Sequence, residues 1–116
     1  MRPTHASLIR EIVQYLQLRD WYLIQMPAGG IIGQPGISDL LAFKRLAPGI
    51  PCAITGSELC RHKGPWPTYS YALFIEIKIG KDDLSDDQWR FREAVVAQGF
   101  EYILARSLDD VIAAGV

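Results

Sequence analysis

The stretch Ala72 to Ile79 constrains the chain more than any other. Leu73, Ile75, Ile77 and Ile79 alternate with Phe74, Glu76 and Lys78, and Gly80 ends the run. Successive strand residues point to opposite faces, so this period of two sets an apolar face against one that carries two charges. Such a strand needs partners, and three further stretches qualify by their aromatic and branched content: Trp21 to Met26, Ile37 to Lys44 and Phe100 to Ala105.

The remaining segments read as helices with recognisable ends. Thr4 is placed to cap a helix to about Arg19, with Leu8, Ile9, Ile12, Val13, Tyr15 and Leu16 on one side at helical spacing. Glu11 falls at the border of that stripe. Ser85-Asp86-Asp87-Gln88 has the form of a capping box, opening a helix to Gln98 that Gly99 stops. Ser107 caps a short last helix, Leu108 to Ala114, with Asp110 at the box position. The order αβββαβα predicts an α/β fold around one central sheet. At 116 residues the chain fits one domain, 1–116, with a Pro- and Gly-rich insertion at about 45–71.

Formal net charge is -1, so any nucleic-acid face must be a local cluster of basic residues offset by acids elsewhere. Lys44, Arg45, Arg61, Lys63 and Lys81 are the candidates to line a site mouth and hold phosphates. No window has the apolar length of a membrane span, and Met1-Arg2-Pro3-Thr4-His5 leads into a mixed segment, not an apolar signal core. These features predict a cytoplasmic protein, in the host cytoplasm if viral, with no membrane partner. Cys52, Cys60 and His62 match no closed zinc site without a fourth ligand from distant His5, so no zinc is expected. Trp66, Pro67 and Tyr69 in the insertion are suited either to stacking on bases or to packing on the sheet.

The chemistry concentrates on Asp39 and the E-x-K strand. Glu76 and Lys78 share a face, and pairing of the two strands brings Asp39 within metal-bridging reach of Glu76. Two carboxylates, with a backbone carbonyl such as that of Ile77, suit Mg2+ or Mn2+, and Lys78 is placed to orient water or neutralise phosphorane charge. The alternative is a solvated strand face on which Glu76 and Lys78 form a surface ion pair. Gln88 likewise has two readings, a cap residue returning a bond to Ser85 or an active-site support. Pro35-Gly36 fits the central positions of a type II turn, and the surrounding glycines bring backbone close to a phosphate or turn the chain sharply into Asp39.

Three segments together, Gly33-Gln34-Pro35-Gly36-Ile37-Ser38-Asp39-Leu40-Leu41, Phe74-Ile75-Glu76-Ile77-Lys78 and Leu84-Ser85-Asp86-Asp87-Gln88, resemble the virus-type replication–repair nuclease pattern of the PD-(D/E)XK class. The resemblance spans essentially the whole chain, although the 45–71 segment is longer than the family's short hairpin. It implies a restriction-endonuclease-like core, a mixed four-stranded sheet flanked by helices. It implies a Mg2+- or Mn2+-dependent deoxyribonuclease with Asp39 and Glu76 as metal ligands, Lys78 as catalytic lysine, and Gln88 and Glu11 as supports. Stand-alone members act on four-way junctions as homodimers, which implies branched DNA as substrate and a second copy as partner. Trp66, Tyr69, Trp21 and Tyr22 are the candidate interface residues. The rival readings are a DNA-binding or subunit-interaction module on the same fold, and a sequence-specific restriction enzyme, for which so short a chain leaves little room.

Overall fold

A computed structural model of the chain describes residues 3–27, 34–45 and 70–116. Among them are three helices, α1 (His5–Leu18), α2 (Asp86–Ala97) and α3 (Leu108–Ala113), and four strands, β1 (Tyr22–Gln25), β2 (Leu40–Arg45), β3 (Ser70–Ile77) and β4 (Glu101–Ala105). The strands form one open mixed sheet in the order β1-β2-β3-β4. β1 and β3 run antiparallel to β2, and β4 lies parallel to β3. A parallel neighbour requires a crossover, and α2 supplies it.

The predicted alternation organises the packing. Leu73, Ile75 and Ile77 of β3 join Leu40, Ala42, Ile103 and Ala105 in a buried cluster with Leu8, Ile9, Ile12 and Leu16 of α1 and Val111 of α3. On the other face Phe74 meets Phe91 of α2 edge-on at 5.7 Å, and Phe91 meets Tyr102 of β4 at 6.4 Å. The sheet therefore lies between α1 with α3 on one side and α2 on the other. α2 reaches only the β3–β4 half, and Tyr22, Ile24 and Phe43 stay exposed on the β1–β2 half.

Several boundaries and roles differ from those expected. Ile37 to Asp39 lead into β2 instead of belonging to it, and the backbone carbonyl of Asp39 accepts from Met26 N–H at 2.8 Å. β3 starts two residues early at Ser70 and ends at Ile77, with Lys78 N–H still donating to the Ala105 carbonyl at 3.1 Å. The strands thus absorb both ends of the expected insertion, and the rest of it lies outside the described residues.

Trp21 precedes β1. Asp20, at a positive φ of 68°, turns the chain so that Trp21 N–H reaches the Leu16 carbonyl. The indole is 5% exposed, a core position that removes Trp21 as an interface candidate, whereas Tyr22 is 71% exposed. Trp66 and Tyr69 lie outside the described residues. Ser107 makes no side-chain cap bond; the Asp110 carboxylate accepts instead from Arg106 N–H, one residue further back. Thr4 and Ser85 do cap α1 and α2, each in a reciprocal box with the residue three positions on.

Candidate active site

The site forms where the ends of β2 and β3 meet the first turn of α2. The antiparallel register pairs Leu40 with Ile75, so one step beyond it Asp39 faces Glu76. Residues opposite one another in such a pair project to the same side, which explains why two like charges converge. The Asp39 carboxylate is anchored by Ile77, whose backbone N–H donates to Oδ2 at 2.8 Å. Ile77 itself points its side chain into the core at 1% exposure.

Glu76 is only 3% exposed, which overturns the reading of a solvated strand face. Its Oε1 accepts from Gln88 Nε2 at 2.9 Å, while Oε2 is buried with no hydrogen-bond partner among the described residues. Burial, reinforced by the negative charge of Asp39 and opposed by the positive charge of Lys78, pushes the Glu76 carboxyl up to about 7. Lys78 is half-buried and lies one residue past the end of β3, two after Glu76.

Gln88 returns the cap bond and at the same time reaches Glu76. Its Oε1 accepts from Ser85 N–H at 2.8 Å, returning the cap bond, and its Nε2 holds Glu76. A primary amide has a separate acceptor and donor, so one side chain serves helix and site together. The Pro35-Gly36 turn packs against the start of α2. Gly36 has φ +76°, the sign a type II turn requires at that position, and a Cβ there would collide with the Asp87 carbonyl and lie 2.6 Å from Gln88 N. The turn thus lies backbone to backbone against the first turn of α2.

The other predicted residues fall in different places. Glu11 is exposed on α1 and absent from the residues lining the groove that reaches Asp39. Lys44 sits at the far end of β2 from Asp39, five residues and roughly 16 Å along the strand. There its Nζ donates to the Arg19 carbonyl at 2.9 Å and lies over the Trp21 ring. It therefore does not line the site mouth. Lys81 is exposed just past the site end of β3. The Arg45 side chain, Arg61, Lys63, Cys52, Cys60 and His62 lie outside the described residues.

Two neighbours escaped the sequence reading. His5 Nε2 stands 3.4 Å from Asp39 Oδ2. In the sequence it is only the first residue after a cap, 34 positions from its partner. The Tyr102 hydroxyl is buried without a partner among the described residues, and burial, with the negative charges of Glu76 and Asp39, raises its pKa. The strand alternation of β4, which puts Tyr102 on the α2 face with Glu76, was the one available signal.

The donors are oxygens, and they form a pair, not a cage. Among the described residues no three or more His, Cys, Asp and Glu side chains are grouped to hold a metal. Mg2+ typically uses one or two carboxylates and completes its shell with water and phosphate oxygens. The unpartnered Glu76 Oε2 is the position a hard cation would satisfy, and a dication would offset the repulsion between Asp39 and Glu76. No family model, curated protein or solved structure matches the chain. Among the described residues no helix is long and apolar enough to cross a membrane.

Proposed function

We propose that this chain is a metal-dependent DNA phosphodiesterase of the virus-type replication–repair nuclease kind, its α/β sheet being a restriction-endonuclease-like core. The reading rests on one observation above all: Asp39 and Glu76 converge at a strand end with a buried carboxylate oxygen left unpartnered. An unsatisfied buried carboxylate oxygen costs on the order of 1–3 kcal/mol or more, a cost that a bound cation, or a proton shared with Asp39, would offset.

In this proposal Asp39 and Glu76 hold Mg2+ or Mn2+, with the Ile77 carbonyl as a further donor. The bound ion would polarise the scissile phosphate and lower the pKa of a water. Ile77 N–H and Gln88 keep the two carboxylates aimed before substrate arrives. Lys78 supplies positive charge beside Glu76, positioned to orient the attacking water and to neutralise charge on the phosphorane. His5 and Tyr102 border the same charges.

A domain with one such site has a small footprint, and two copies related by a two-fold axis would match the symmetry of a four-way junction. Branched DNA, a homodimer and a cytoplasmic setting (that of the host, if viral) complete the proposal. The test is incubation of the pure protein with labelled linear duplex, single-stranded and four-way-junction DNA, with and without Mn2+. Cleavage that requires the metal, favours the junction and is lost in Glu76→Ala is the expected result. Metal-independent cleavage, or none on any substrate, refutes the proposal and favours a binding module.

A further inference from the structure

α1 and the end of β1 flank an open groove of about 630 Å3 whose lining ends at Asp39 and does not include Glu76. Its deeper surface is apolar: Ile9 is buried, and Val13 and Met26 are half-buried. Its rim is polar, with exposed Arg10 and Gln14 from α1 and Gln25 from β1. The lining runs along α1 from His5 to Gln17, a rise of about 18 Å at 1.5 Å per residue. The volume lies within the range of small-ligand sites.

We infer that this groove is the binding track for two or three nucleotides that unpair at a branch point and lead away from the scissile phosphate, an inference that rests on the nuclease reading. A nucleobase is apolar on its faces and polar on its edges, matching an apolar floor under a rim of amides. Gln side chains carry both a donor and an acceptor and can engage base edges only where those edges are not already paired. Arg10 offers a planar cation for the backbone phosphate. Asp39 at the groove's end fixes the direction: a strand whose phosphate meets Asp39 continues along α1. A duplex presents paired edges and a closed stack, so it cannot fill an apolar floor of this kind.

The test uses the full chain with Ca2+ in place of Mg2+ and a fluorescein-labelled hexathymidylate, followed by fluorescence anisotropy against salt. Wild type should bind the single strand better than a duplex of equal length. Arg10→Gln should weaken binding about tenfold and reduce the log–log salt slope by about 0.7, the single-strand value for one lost phosphate contact. Val13→Trp should fill the groove and remove binding. Gln14→Ala, at an exposed position, should weaken it without affecting folding. Hydrolysis of bis(p-nitrophenyl) phosphate in Mn2+, a diester too short to span the groove, should persist in all three variants.

If the three variants bind hexathymidylate as wild type does, the groove is not the track, whatever becomes of the nuclease reading. If wild type hydrolyses neither DNA nor the diester, yet binding still falls in the groove variants, the nuclease reading fails and the groove remains a single-strand site. Absence of single-strand binding by wild type overturns the groove directly.

Discussion

Replacing Glu76 with Gln removes a charge that the fold holds at a cost. The carboxyl rises from an ordinary value of 4.5 to about 7. The folded state therefore retains a proton that the unfolded chain releases. The stability that proton confers is fully present below about pH 4.5 and is lost as pH rises through about 7. At 1.36 kcal/mol per pKa unit the swing is about 3 kcal/mol, and a side chain 3% exposed is little screened by solvent.

A Gln at this position can offer its carbonyl to Gln88 and its amino group toward Asp39, much as the protonated acid would. At pH 8, without divalent ions, Glu76→Gln should therefore be more stable than wild type by up to about 3 kcal/mol, on the order of 10 °C in Tm for a domain of this size. By pH 5 the advantage should shrink to within about 1 kcal/mol. Mg2+ should narrow the gap at pH 8 by stabilising wild type alone, by about 2.7 kcal/mol at one hundred times Kd. Thermal melts of both proteins at the two pH values, with and without Mg2+, read all of this. An advantage that is the same at pH 5 and pH 8, or a variant less stable than wild type at pH 8, refutes the reasoning.

Asp39→Ala, Glu76→Ala and Lys78→Ala should each lower DNA cleavage a hundredfold or more with the circular dichroism spectrum unchanged, as assays on verified folded preparations would show. Chelator should abolish activity, Mg2+ or Mn2+ should restore it, and elemental analysis should find no stoichiometric zinc; full-rate cleavage in chelator contradicts this. Gln88→Leu should cost about 1–3 kcal/mol in urea unfolding, because it strips the cap return and leaves both Glu76 oxygens unpartnered. Gly36→Ala should destabilise by about 1–3 kcal/mol and also slow cleavage, since positive φ and the collision with Asp87 force α2 to move.

Legibility in the sequence followed how local the physics was. The β3 alternation, the Thr4 and Ser85 caps and the Gly99 stop are decided within a few residues, and all appear in the fold. The convergence of Asp39 and Glu76 was readable because strand pairing has only two parities. Whether Glu76 was solvated was not, because that depends on α2 covering this half of the sheet and not the half that bears Tyr22 and Phe43. Lys44 was misplaced for a related reason: charge and neighbourhood in sequence do not say which end of a strand carries a site. His5 could not be found from spacing at all, since α1 reaches Asp39 only through the packing of Ile9 and Ile12 beneath it.

The single amide of Gln88 couples the position of Glu76 to the breathing of a helix. Transient opening of the first turn of α2 must release Glu76, and anything that immobilises Glu76 must slow that opening, because linkage works equally in both directions. The backbone N–H groups of Ser85 and Gln88, whose partners are each other's side chains, then become built-in reporters. Their hydrogen exchange should slow when a cation occupies the carboxylate pair, while amides in α1 exchange as before. A carboxylate pair at a strand end would thus display its occupancy in the fraying of a helix.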